Sequence, residues 1–208
     1  MSTSTTTNYG WTIPNDDELV KNGAAAIRTL GQAIDTTAAA SFAPGLIHIN
    51  TTTFSAVSAQ NLQYFSSNYD NYKIILNFTA SSANAMIRYR MSASGVDATT
   101  TDYNTGLRYI RSTGSGGDTQ GNNSNYGILG YIASGNPEDT RITFDIISPF
   151  LAERTGLTIN GPGYDTVSWL TYVGSSAYRV STSYNGITIY PSTGTLSGTA
   201  TIFGYRKS

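Results

Sequence analysis

Hydrophobic periodicity divides this chain in two near Pro44. Asn15 to Thr37 is the one stretch with a helical repeat, and from Leu46 onward apolar and polar residues alternate as they do in strands. Within the helical stretch Val20, Ile27 and Ile34 recur at heptad spacing, with Gly23, Leu30 and Thr37 at the intervening steps. This pattern makes a narrow apolar seam, in contrast to the broad face of a helix that covers a core. A lone helix of this length is marginal in water. The seam therefore predicts bundling with identical helices, and so a homo-oligomer.

The ends of the helix are also marked. Asn15 is placed to cap it, Glu18 completes an approximate capping box, and Asp16 and Asp17 oppose the positive end of the helix dipole. These acids read as structural. Ala24, Ala25, Ala26, Ala33 and Ala38 to Ala40 keep the helix thin, and a linker at Ser41 to Gly45 contains the stop signal Pro44-Gly45. Tyr9-Gly10-Trp11-Thr12-Ile13-Pro14 ahead of it reads as an extended aromatic segment outside the helix. The expected division is residues 1–45, an N-terminal segment and helix, and 46–208, a β domain.

Three strands have a clear buried face, carried by Ile74, Leu76 and Phe78, by Ile87, Tyr89 and Met91, and by Ile142, Phe144 and Ile146. Other strands are expected near 46–53, 105–111, 126–133, 157–160, 167–174, 179–184, 187–190 and 199–205. Asn185-Gly186 predicts a tight hairpin over Tyr184 to Ile187. Ser112 to Asn125, with four glycines among polar residues, reads as an exposed, mobile loop. Strands separated by turns, without helices or a fixed repeat, predict a mainly β chain that ends in an antiparallel β-sandwich or jelly-roll.

Composition excludes several functions. Charged residues make up 12% of the chain, the net charge is −1 and no Lys/Arg cluster exists, so nothing here would neutralise a nucleic-acid backbone. There is no cysteine for a disulfide, a thiolate metal site or a nucleophile. No apolar run long enough for membrane insertion and no secretion signal is visible, so a soluble chain is expected. The sequons at Asn50, Asn77 and Asn122 read as chance products of a Ser/Thr/Asn-rich sequence.

No catalytic constellation emerges. His48 is the one histidine; a Ser-His-Asp triad would need it, yet no nucleophile elbow accompanies it, and it reads as structural near a subunit axis. The glycines from Gly114 to Gly121 lack the Lys-Ser/Thr that ends a phosphate loop. Asp118, Gln120, Asn122 and Asn125 offer oxygens but no terminal acid as in a calcium loop. Glu138-Asp139 and Asp165 read as turn residues, and nothing favours Asp97, Asp102 or Glu153 as a glycosidase pair. The expectation is a protein without catalytic residues, metal or cofactor. Tyrosines carry the binding signal, because a phenol ring gives contact area at low entropy cost while its hydroxyl stays wet. Tyr89, Tyr109, Trp169 and Phe203 are assigned to core or subunit contacts. Tyr103, Tyr126, Tyr164 and Tyr178, beside loops, are the candidate receptor-binding residues.

Three stretches together resemble virion appendage proteins of tailed bacteriophages. They are Tyr9-Gly10-Trp11 with Pro14 and Asp17 to Asp35; Phe65 to Leu76, continuing through Ile87-Arg88-Tyr89-Arg90 and Ser94-Gly95-Val96-Asp97 to Tyr103; and Gly194 to Arg206. The resemblance implies a homotrimeric tail fibre or receptor-binding tip located on the virion. Its helices would form a trimeric coiled-coil-like bundle through Val20, Ile27, Leu30 and Ile34. Tyr9, Trp11 and Ile13, apolar residues on a segment too short to bury them, would dock into another virion protein. The β domain would face a host surface glycan or protein. A capsid-anchored head fibre or decoration protein is the alternative, and a glycan-depolymerising tailspike is less favoured.

Overall fold

The computed structural model describes residues 4–13, 20–41, 45–166 and 168–207. They belong to two compact units, Met1–Gly45 and Leu46–Ser208.

In the first unit β1 (Ser4–Thr5) and β2 (Thr12–Ile13) pair antiparallel, and Gly10 takes a φ of 65° in the turn between them. The aromatic segment is thus one arm of a small hairpin, closed by Thr6 N–H to Trp11 O at 2.9 Å. α1 (Val20–Ser41) runs past Thr37, because Ala38 to Ala40 are strong helix formers. Thr29 and Thr36 are tolerated inside it by donating their hydroxyls to Ala25 O and Gln32 O. The expected cap at Asn15 to Glu18 lies outside the described residues. No helix among the described residues is long and apolar enough to cross a membrane.

The second unit is an antiparallel β sandwich. Its strands are β3 (Leu46–Val57), β4 (Gln60–Leu62), β5 (Asn71–Ser81), β6 (Ala85–Ala93), β7 (Val96–Asp97), β8 (Tyr103–Arg111) and β9 (Gly116–Ser124). They continue with β10 (Gly127–Ile132), β11 (Arg141–Ile147), β12 (Thr155–Tyr164), β13 (Trp169–Tyr178), β14 (Gly186–Pro191) and β15 (Leu196–Tyr205). One sheet has eight strands in the order β3-β15-β5-β11-β12-β13-β8-β9; the other has five, β10-β6-β14-β4 with β7 beside β6. The sheets are unequal and larger together than the eight strands of a jelly-roll.

The core follows from the alternation. Tyr72, Ile74 and Leu76 of β5 face inward opposite Ile146, Phe144 and Ile142 of β11, and Tyr89 and Met91 of β6 lie opposite Ile189 and Ile187 of β14. Each such side chain, fully buried, contributes about 1.5–3 kcal/mol. Tyrosines cross between the layers. Tyr103 of the larger sheet accepts the Met91 N–H of the smaller one at 2.9 Å and donates to Ala98 O at 3.0 Å. Tyr89 of the smaller sheet donates to Ser176 Oγ of the larger at 2.7 Å. Ser176 in turn meets Thr105 Oγ1 at 2.7 Å and donates to Asn104 O at 3.0 Å. The Tyr103 ring packs 4.3 Å from that of Tyr178 and edge-on to Tyr89.

Two loop expectations are corrected. Asn185-Gly186 does not turn a hairpin: residues 179–185 carry the chain from β13 in one sheet to β14 in the other, so 179–184 form no strand. Asn185 instead ties down two other segments, accepting Phe65 N–H on its backbone oxygen and Ser94 N–H on its side chain. Ser112 to Asn125 is mostly β9, the edge strand of the larger sheet. It is turned back onto β8 by Gly114 at a φ of 85°, a left-handed conformation that favours glycine.

Burial, the largest influence on each, raises the pKa of Tyr89, Tyr103, Tyr172 and Tyr184 above the ordinary 10.0. A raised phenol pKa keeps the proton on the folded chain while the unfolded chain releases it. Stability is therefore intact below about pH 10 and falls above it, by about 1.4 kcal/mol per pH unit for each such group. In an alkaline titration followed by tyrosinate absorbance and circular dichroism, part of the 15 tyrosines should ionise only as the fold is lost. Ionisation of all of them near pH 10 with the circular dichroism unchanged would contradict this burial.

Candidate functional site

The larger sheet outruns the smaller one, and its inner face is left partly uncovered at β8 and β9. Tyr103, Thr105 and Leu107 are buried on that face, whereas Tyr109 and Arg111, next in the same alternation, are half-buried. They line a cleft of about 570 Å³, within the usual size of ligand sites. One wall carries Tyr109, Arg111, Thr119 and Asp165; the facing wall carries Asn84, Met86 and Tyr131.

The polar groups of the cleft are held in place. Arg111 directs Nε and Nη2 to Asp165 Oδ2, both at 2.7 Å, and this bond raises the guanidinium pKa. Asp165 Oδ1 accepts Ser168 N–H at 2.9 Å. The guanidinium lies 4.9 Å from the centre of the Tyr109 ring, a cation–π contact. Tyr131 meets Thr119 Oγ1 at 3.2 Å through its hydroxyl and stacks on Tyr172. Opposite Tyr109 on β9 stands Gly117, where an added Cβ would fall 2.5 Å from the Tyr109 hydroxyl oxygen. The ring lies across the edge strand because that position carries no side chain. The arrangement is suited to hydrogen bonding an uncharged polar ligand against aromatic surface.

The residues singled out in the sequence fall in different places. Tyr103 and Tyr178 are corrected: they stand opposite each other on β8 and β13, buried in the core, and in this fold no receptor reaches them. Tyr126 is half-buried with Arg88 4.0 Å over its ring, on the outer face of the smaller sheet. Tyr164 is half-buried edge-on to Trp169, which is 50% exposed and so lies outside the core. In the first unit Tyr9 is 64% exposed and stacked on Trp11 at 5.1 Å. Trp11 is half-buried and donates Nε1–H to Thr37 Oγ1 of α1 at 3.0 Å, so part of its cover comes from the helix; Ile13 is half-buried too. Ile27 and Ile34 are 65% and 40% exposed and Leu30 is half-buried, while the side chain of Val20 lies outside the described residues. His48 is exposed and 3.0 Å from Thr51 Oγ1.

Sequence reasoning missed the cleft. Arg111 and Tyr131 belong to no motif, Tyr109 reads as a packing residue and Asp165 as a turn residue. The available signal was the alternation of β8, which puts Tyr109 and Arg111 on the face of Leu107. Among the described residues no cluster of acids and histidine could hold a metal. Comparison with protein-family models, with curated proteins and with solved structures finds no match in any of the three.

Gly117→Ala should push the Tyr109 ring from its seat and cost about 1 kcal/mol. Gly106→Ala, with nothing within 4 Å of the new Cβ, should be neutral or stabilising. Urea unfolding midpoints compare the two. Equal midpoints would show that Tyr109 does not depend on the bare position opposite it.

Proposed function

We propose that this chain is a non-enzymatic structural component of a bacteriophage virion, a homotrimeric tail fibre or fibre tip that binds the host cell surface. The observation that carries this reading is the exposure of Ile27 and Ile34, one heptad apart on α1. Isoleucines left open at coiled-coil spacing gain most by meeting the same positions on other copies. Such a seam supports assembly through the helix, by a coiled-coil-like bundle that includes Leu30 and Val20.

The other parts of the reading have their own supports. The N-terminal hairpin presents Tyr9 to a neighbouring virion protein and is tied to the helix by Trp11, with Ile13 completing its apolar side. The likeness of three stretches to tailed-phage appendage proteins supplies the virion setting, and either tail or capsid fits it. The sandwich offers tyrosine-bearing surfaces for a host glycan or protein, at the cleft, at Tyr126 and at Tyr164.

Sedimentation of the whole chain should give three times the 22.2 kDa chain mass, and replacing Ile27 and Ile34 together by Asp should reduce it to one. Deleting residues 1–14 should leave a folded trimer that no longer joins particles. A stable monomer of the unaltered chain would remove the assembly reading. Normal incorporation of the truncated chain would move attachment to the β unit.

A further inference from the structure

We propose that the cleft at β8 and β9 is a saccharide site that takes a neutral pyranose ring of a larger glycan. For its biological setting this rests on the sandwich being the surface-binding unit; for its chemistry it rests on the cleft alone. The ligand class follows from what lines the walls. A pyranose has apolar C–H faces and a rim of hydroxyls, each both donor and acceptor. The cleft has the complementary mixture, with the Tyr109 and Tyr131 rings and the Met86, Ile132 and Leu170 side chains as apolar surface. Asn84, Thr119 and the Arg111–Asp165 pair supply the polar groups.

The Arg111–Asp165 pair is the specific element. A guanidinium has five N–H donors in one plane, and the bonds to Asp165 Oδ2 use two of its nitrogens. The guanidinium, held in place by the carboxylate, can then donate its remaining N–H groups to the oxygens of neighbouring sugar hydroxyls. The pair is already fixed by Ser168 N–H and by the Tyr109 ring, and Tyr131 by Thr119 and Tyr172. Little side-chain freedom is left to lose on binding.

Charge and polarity exclude the other ligand classes. The charges of the walls are already paired, Arg111 with Asp165 at 2.7 Å and Asp118 with Arg108 at 3.6 Å. A phosphate, sulfate or uronate would meet no unpaired positive charge here. An acyl chain would bury the ion pair and the Asn84 amide without replacing the water they lose.

The test titrates the full chain with the methyl glycosides of glucose, galactose, mannose, rhamnose and N-acetylglucosamine. Glucuronate, sialic acid and inorganic sulfate form the anionic arm, and binding is read by saturation-transfer NMR and calorimetry. At least one neutral glycoside should bind saturably. Tyr109→Ala and Arg111→Lys should each weaken it about tenfold, the loss of one good polar or stacking contact. Thr119→Val, which removes the hydroxyl that meets Tyr131, should weaken it less, in a chain that circular dichroism shows to be folded. The proposal is overturned if no neutral glycoside binds, or if binding survives all three changes in folded protein. Binding of the anionic probes alone also overturns it and would direct attention to Arg88 and Arg90 on the outer face of the smaller sheet. A chain that fails here yet sediments as a trimer and joins particles would lose only the ligand assignment.

Discussion

A phenol hydroxyl buried among aliphatic side chains is costly unless it is hydrogen-bonded, and at Tyr89 and Tyr103 this sandwich meets that demand by sending the hydroxyl from one sheet to the other. Tyr103 reaches the backbone of Met91 and Ala98, and Tyr89 reaches the Ser176–Thr105 pair. Apolar contacts alone would let two flat sheets slide with small changes in buried area. Directional bonds at these points fix one offset. With that offset β10 reaches β9 through Tyr131 and Thr119, and the inner face at Tyr109 and Arg111, toward the end of β8, stays open as the cleft.

The same constraint explains what could be read from the sequence. Inward-facing Ile74, Leu76, Ile87, Met91, Ile142 and Phe144 were legible, because alternation is local and independent of partner. Asn185-Gly186 was not, since its two tertiary hydrogen bonds override the turn preference of the pair. Tyr103 and Tyr178 sit at strand ends beside loops, and proximity to a loop suggested exposure. Their position on the inward face decides the matter. The cleft was hidden for the converse reason: Tyr109 and Arg111 share the core-facing side of β8, and they are open only because the other sheet ends before covering them.

Charge has a small part in this chain. Lys73 shows the pattern: partial burial lowers its pKa, but the bonds and attraction of Asp145 outweigh that and leave it raised. On the proposed reading, recognition at the cleft would then rest on tyrosine rings, uncharged polar groups and one internally paired arginine, with little long-range attraction for polyions. Assembly and binding are allotted to separate units on the proposed reading. Isoleucines of α1 serve the first, and the sandwich serves the second.

The claim that tyrosine hydroxyls fix the two sheets is tested most directly by a double-mutant cycle on Tyr89 and Ser176, with Tyr89→Phe, Ser176→Ala and the pair compared by chemical unfolding. A cross-sheet hydrogen bond predicts non-additive losses with a coupling of about 1 kcal/mol or more. Additive losses, with no coupling between the two positions, would contradict it.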